Sequence, residues 1–234
     1  MQIFSDYKYA YMVGNLLLAI IWLTIFVIRK DLRREQIIVG LVAAIAAPLT
    51  DYLVFYSDYW RPQYLIGLNI NGVSLGLESP LFGFLIGGIS TVIYEAITRK
   101  KAVFSKPRNK LALIVIILNI LGTLFLTYIG FNSIWASVAM LILGSIYMVY
   151  VDRNLIDDMF WSPIILTVII IALYSLWFWI YPDAYHKFWV VQKMTGIFLG
   201  KIPIEEIFWF FSAALFLGIL YEFWRNVRKY KKLI

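Results

Sequence analysis

Apolar residues dominate this chain in long stretches, broken by short charged connectors. Seven stretches approach the ~20 mostly apolar residues that one bilayer crossing needs. They are 9–28, 37–56, 75–97, 111–130, 133–151, 163–181 and 202–224. The pattern predicts seven transmembrane helices and an all-α integral membrane protein. The third and seventh stretches are the least regular, because each contains carboxylates. The first reads as a full span and not as a cleaved leader: Asp6 and Lys8 precede it, and no small-residue cleavage pattern follows.

The connectors differ in charge. Segments 29–36, 98–110, 152–161 and 225–234 hold four, six, one and five Lys/Arg, sixteen in all. The other five, Lys8, Arg61, Lys187, Lys193 and Lys201, fall on the opposite side. Cytoplasmic loops carry the excess of Lys/Arg. The expected arrangement is therefore a multi-pass protein of the cell membrane with its N-terminus outside and its C-terminus in the cytoplasm.

The pattern also repeats. "SLGLESPLFGFLIGGISTVIYEAITRKK" (74–101) and "FLGKIPIEEIFWFFSAALFLGILYEFWRNVRK" (198–229) each run Leu-Gly, then Glu, then Tyr-Glu at a basic end. Glu78 maps to Glu205, Tyr94 to Tyr221 and Glu95 to Glu222, all at an offset of 127. The second copy has three extra residues between Leu-Gly and Glu. The connector "RKDLRREQ" (29–36) stands where "DRNLIDDM" (152–159) stands, and Asp58-Tyr59 resembles Asp183-Ala-Tyr185. A three-span unit that starts on one side ends on the other, so one extra span must return the chain before a parallel copy begins. The fourth stretch does this. The plan is 3+1+3 with two parallel three-helix repeats: 1–101, a linker with the joining helix at 102–132, and 133–234. Such repeats are related by an axis along the membrane normal, so spans three and seven are expected to face a shared interior.

Composition agrees with the pattern. The chain is 62% hydrophobic and only 15% charged, against about 25% charged in an ordinary soluble chain. With no cysteine and one histidine, His186, thiolate and multi-histidine metal sites are excluded. The net charge of +7 points to loop orientation and lipid phosphates, not to nucleic acid.

Carboxylates inside spans are costly and by default functional. The candidates are Asp51, Glu78, Glu205 and Glu206. Glu95 and Glu222 lie near the inner interface beside Arg99 and Arg225, where snorkelling or ion pairing is expected. Glu78 and Glu205 each open a helix, where the dipole favours an acid. Pro203 suits the first turn of the last helix. Neighbouring residues on a helix point about 100° apart, so Glu205 and Glu206 cannot both face one spot. The repeat nominates Glu205 as the inward one and leaves Glu206 as its neighbour or a second acid. Trp60, Trp179, Tyr185 and Trp209 belong to an aromatic set that reads either as an interfacial belt or as the wall of a ligand cavity with Asp51 and Pro203. A proton donor among aromatic faces suits carbocation chemistry.

"GKIPIEEIFWFF" resembles the Pro-x-Glu-(Glu/Asp) motif of the small membrane lycopene cyclases of bacteria, archaea and fungi, which consist of two related three-span domains. This chain resembles their fused form. The first repeat departs from the motif, with no proline two residues before Glu78 and Ser79 in place of a second acid. The resemblance implies acid-catalysed, non-redox closure of the ψ-ends of lycopene to β-rings. Glu78, Glu205 and Glu206 would be catalytic, with no cofactor and no metal. It also implies a lipophilic carotenoid substrate and contact with membrane lipids and other enzymes of the pathway. No Gly-x-Gly-x-x-Gly flavin fingerprint is present. A membrane terpene cyclase acting on another isoprenoid fits the same residues. A 3+1+3 small-solute transporter fits the topology. A retinal protein needs a lysine inside the last span, and Lys201 sits only at its edge.

Overall fold

The computed structural model describes residues 6–232. Seven helices of that range are long and apolar enough to cross a membrane. They are α1 (Ala10–Ile28), α2 (Arg33–Thr50), α3 (Glu78–Thr98), α4 (Asn109–Tyr128), α5 (Ser133–Val151), α6 (Ile156–Ile180) and α7 (Ile204–Arg225). The protein is an all-α, multi-pass membrane protein. α2 and α6 begin several residues before their apolar stretches do. Hydropathy registers only the hydrocarbon core, whereas a helix keeps its backbone hydrogen bonds through the polar boundary. Past Pro48, α2 continues as a π-helical turn, Asp51–Phe55, and a last turn, Tyr56–Asp58.

The two least regular spans are the central ones. Within α3 and α7, 67% and 61% of the most apolar window is buried, against at most 39% for the other five. α3 packs on α1, α2, α6 and α7, and α7 packs on α5, α6, α3 and α4. The pairings α2–α3 and α1–α3 of the first repeat recur as α6–α7 and α5–α7 in the second. α4 lies outside, against α5.

α2 and α3 come together through small residues. Gly83 and Gly87 of α3 lie over Ala43 and Ala47 of α2, and Gly40 of α2 lies over Phe84 of α3. A Cβ at Gly83 would stand 2.3 Å from the Ala43 carbonyl oxygen. This small-xxx-small pattern lets two backbones meet where lipid supplies no hydrophobic drive.

At the aromatic end, each repeat grips the start of the other. Asp58 Oδ2 accepts the Ser133 N–H at the head of α5 (3.0 Å). The Asp183 N–H donates to the hydroxyl of Tyr7, just before α1 (3.0 Å). Between them Trp60 pairs with Trp189 in an antiparallel bridge, with Arg61 N–H donating to Phe188 O (2.7 Å) and Val190 N–H to Tyr59 O (2.9 Å).

Two hairpins precede the central helices. β1 (Gly67–Ile70) and β2 (Val73–Gly76) turn at Asn71-Gly72, both at positive φ, as a two-residue hairpin loop requires. β3 (Lys100–Phe104) follows α3. β4 (Phe198–Leu199) and β5 (Ile202–Pro203) turn at Gly200 and lead into α7, and β6 (Val227–Lys232) follows it. The Leu-Gly landmarks of the two copies are not equivalent in space. Gly76 ends β2, whereas Gly200 lies in the turn before β5.

At the basic end the expectation of snorkelling is overturned. Glu95 and Glu222 are 1% and 0% exposed. They face each other and the buried Glu35 of α2 and Asp158 of α6, close enough to interact electrostatically. Glu35 and Asp158 occupy equivalent places in the two connectors matched above. The Arg29 guanidinium caps this group, donating to the Glu95 carbonyl and pairing with Asp31 (2.9 Å).

Gly83→Ala should lower stability by about 1–3 kcal/mol, because the new methyl meets backbone. Gly14→Ala, whose Cβ would sit 3.6 Å from the Trp177 ring, should be nearly neutral. Thermal unfolding of the two purified variants in detergent makes the comparison.

Candidate active site

In the aromatic half of the bundle, α1, α2, α3, α6 and α7 enclose a cavity of about 120 Å³. Its wall is mostly aliphatic and aromatic, with Phe55, Trp60, Phe82, Trp177, Trp209 and Phe210 among the rings. Two carboxyls reach it, Asp51 and Glu206, which are 8% and 6% exposed.

These two acids have different surroundings. Glu206 is held by three donors from three elements. The Tyr174 hydroxyl of α6 donates to Oε2 (2.5 Å), the Trp189 indole N–H donates to Oε1 (3.0 Å), and the Tyr59 hydroxyl also donates to Oε1. Trp189 forms the bridge between the two outer segments and Tyr59 adjoins it, so the contact between repeats also fixes Glu206. Burial first, and then the adjacent Glu206 carboxylate, push the Tyr59 hydroxyl well above its ordinary pKa; it stays a donor at any physiological pH. Asp51 sits on the π-helical turn after Pro48 and takes one side-chain bond, from the Ser79 hydroxyl to Oδ2. π-turns inside α-helices are frequent at functional sites.

The repeat explains the arrangement. Ser79 is the equivalent of Glu206 at the offset of 127. In the first repeat a hydroxyl on α3 meets a carboxyl on α2. In the second a carboxyl on α7 meets a hydroxyl on α6. The acid that the motif lacks after Glu78 is thus present on the neighbouring helix, and each repeat contributes one carboxyl to one cavity.

Glu78 and Glu205 are not brought into that cavity. Glu78 Oε1 accepts the Leu65 N–H (2.8 Å) and Glu205 Oε1 the Thr195 N–H (2.5 Å). Each ties the segment before its hairpin to the first turn of its helix. The expectation that Glu205 is the inward acid is therefore reversed. With α7 starting at Ile204, Glu205 turns toward the loop and Glu206 toward the bundle. Asn15 of α1 secures the other start, donating to the Glu78 carbonyl (2.9 Å).

The remaining sequence candidates divide. Trp60 and Trp209 line the cavity. Tyr185 is buried behind it, stacked on Trp189 with centroids 6.1 Å apart. Pro203 is buried at the N-cap of α7. Trp179 is 79% exposed on the outside of the bundle and does not reach the site. The roles of Tyr59, Tyr174 and Ser79 were missed. A tyrosine inside an apolar span needs a partner for its hydroxyl, and Tyr174 carries that signal. Among the described residues, no group of three His, Asp or Glu side chains is placed to hold a metal ion.

The lycopene cyclase family model matches residues 8–97 and matches again over 132–224. The chain belongs to the lycopene cyclase family. The double match covers most of the chain and gives it a carotenoid-cyclase role. No curated protein and no solved structure gives a significant match.

Replacing Glu78 or Glu205 by Ala should speed hydrogen exchange at the Leu65 or Thr195 amide while the spans stay protected. Unchanged exchange at both amides would contradict the loop-tying role.

Proposed function

We propose that this carotenoid cyclase closes the ψ-ends of lycopene to β-rings, an isomerisation without net redox change. In this reading Asp51 is the proton donor and Glu206 the proton acceptor. The observation that carries the proposal is the meeting of two carboxyls with unlike partners in one apolar, aromatic cavity. A carboxyl that faces hydrocarbon with one hydroxyl partner suits the neutral, proton-carrying form. A carboxylate that accepts three hydrogen bonds suits the anion. Such a pair divides acid and base roles between two similar groups.

The steps balance. The Asp51 proton adds to C2 of the terminal C1=C2 bond and leaves a tertiary cation at C1. The C5=C6 π pair attacks C1, forms the C1–C6 bond and moves the cation to C5. Loss of the C6 proton to Glu206 restores C5=C6 and completes the ring. Between turnovers Glu206 releases that proton to solvent and Asp51 takes one up from solvent, which resets the site. Trp209 and Phe82, stacked with centroids 6.1 Å apart, offer faces to the cation. A mostly apolar wall with the substrate filling the cavity leaves little room for water to capture it.

Glu78 and Glu205 act in this reading by holding the hairpins that frame the site. The sixteen-to-five division of Lys/Arg supports a cytoplasmic basic end, which puts the cavity in the outer half of the membrane. The lipophilic substrate would arrive from the bilayer. Other enzymes of the pathway are its natural neighbours.

Expression in a lycopene-accumulating host, with chromatography of the pigments, should yield cyclic carotenoid. Asp51→Asn and Glu206→Gln should each cut it by about a hundredfold or more, the usual size of a general acid or base contribution, with the protein still inserted and folded. Full product from both variants would sink the assignment. Tyr59→Phe and Tyr174→Phe should each slow turnover about tenfold, the cost of one hydrogen bond to a charged group. In deuterated water, each ring should carry one deuterium at C2.

A further inference from the structure

Each ring closure leaves Asp51 without its proton. The residue is 8% exposed, and its one side-chain hydrogen bond comes from the Ser79 hydroxyl. A hydroxyl that already donates to a carboxylate is its shortest source of a new proton. Ser79 cannot act alone, because it is fully buried and a serine alkoxide is too basic to persist. A second donor has to refill it.

Tyr11 stands in that place. It lines the same cavity as Asp51 and Ser79, and it is close enough to both to interact with them. A serine hydroxyl has one hydrogen to give and lone pairs to accept with. The Ser79 hydrogen is committed to Asp51, so the Tyr11 hydroxyl is the donor of the next pair. Tyr11 is the second residue of α1 and therefore sits at the end of its span, under the loop that joins the last turn of α2 to β1. Tyr64 of that loop meets the Tyr11 ring at 5.8 Å and 45°. Tyr64 is half-buried. Gly76 at the end of β2 lets it pack there, since a Cβ at Gly76 would come within 2.3 Å of the Tyr64 ring. Three hydroxyl side chains thus lead from Asp51 to the loop surface.

We propose that Ser79 and Tyr11 relay solvent protons from the Tyr64 loop to Asp51. The route rests on Asp51 being the acid of the cyclisation. The Asp51 carboxylate takes the Ser79 hydroxyl proton at Oδ2, Ser79 Oγ takes the Tyr11 hydroxyl proton, and Tyr11 takes one from water at the loop, through the Tyr64 hydroxyl. Only O–H bonds break and form, and one solvent proton enters for each proton given to C2. Tyr174, a donor to Glu206, also lies close enough to Tyr11 to interact. A return path from Glu206 is thus the competing source.

The test uses the purified full-length protein in nonionic micelles with lycopene as the probe, stopped at timed intervals for chromatography. Enzyme in excess reads the first ring, closed with the proton that Asp51 already holds. Lycopene in excess reads refilling. Tyr11→Phe and Ser79→Ala should each close the first ring within about twofold of the wild-type rate but turn over at least ~tenfold more slowly with lycopene in excess. Ser79→Thr keeps the hydroxyl and should restore turnover. Tyr128→Phe, on an 88% exposed side chain, should leave both rates unchanged. If Tyr11→Phe does not fold, Ser79→Ala and its threonine rescue carry the test. Wild-type turnover in both variants overturns the relay. Equal slowing of the first ring and of turnover overturns it too, because the two side chains would then only shape the cavity. In heavy water, rings from later turnovers should keep their one deuterium at C2; light hydrogen there would mean refilling from Glu206 and would also overturn it. Asp51→Asn separates the two readings. It should abolish the first ring, and a first ring closed at the wild-type rate in that variant would defeat the assignment of the acid itself, whatever Tyr11 and Ser79 do.

Discussion

A carboxyl group in hydrocarbon must find partners or carry a proton, and this molecule is organised around that constraint. Eight acids on α2, α3, α6 and α7 or their direct continuations, Glu35, Asp51, Glu78, Glu95, Asp158, Glu205, Glu206 and Glu222, are all 8% exposed or less. The helices that carry them must turn those faces inward, and two of these helices become the centre of the bundle although they are not the most apolar spans. α1, α4 and α5 carry no such burden and can lie against lipid.

Duplication supplied two copies of this problem, and divergence solved them differently. At the helix starts both copies kept the same answer, a glutamate on a loop amide. One residue later they parted: the Ser79 hydroxyl donates a hydrogen bond to an acid on the continuation of α2, whereas Glu206 is itself the acid and accepts a hydrogen bond from Tyr174. Identical repeats would set two acids symmetrically about the axis in equivalent surroundings. The exchange of hydroxyl and carboxyl makes the surroundings unequal, which is what a reaction needing a donor and an acceptor in one pocket requires. At the basic end the copies stayed alike, with Glu95, Glu222, Glu35 and Asp158 meeting in two equivalent pairs. There the buried acids of the two repeats come together.

The cavity also depends on contacts outside its wall. The Trp60–Trp189 bridge locks the two outer segments together and thereby sets two of the three donors to Glu206. The glycine-and-alanine contact between α2 and α3 fixes how far apart Asp51 and Ser79 stand. A change in either place acts on the acids without touching them.

The seven spans, the 3+1+3 repeat and the family motif were legible in the sequence, because each rests on local composition or on spacing along the chain. Twenty apolar residues announce a span wherever it packs, and an offset of 127 survives any fold. The hairpins before α3 and α7 were not legible, since they are short and sit in loops whose residues look interfacial. Nor was the burial of Glu95 and Glu222, which a neighbouring arginine in sequence made to look like surface pairs. The choice between Glu205 and Glu206 turned on where the last helix begins and which side of it faces the other repeat. The pairing of Asp51 with Ser79 joins residues 28 apart in the chain. Such facts depend on the angle and distance between packed helices, and only the tertiary structure sets those.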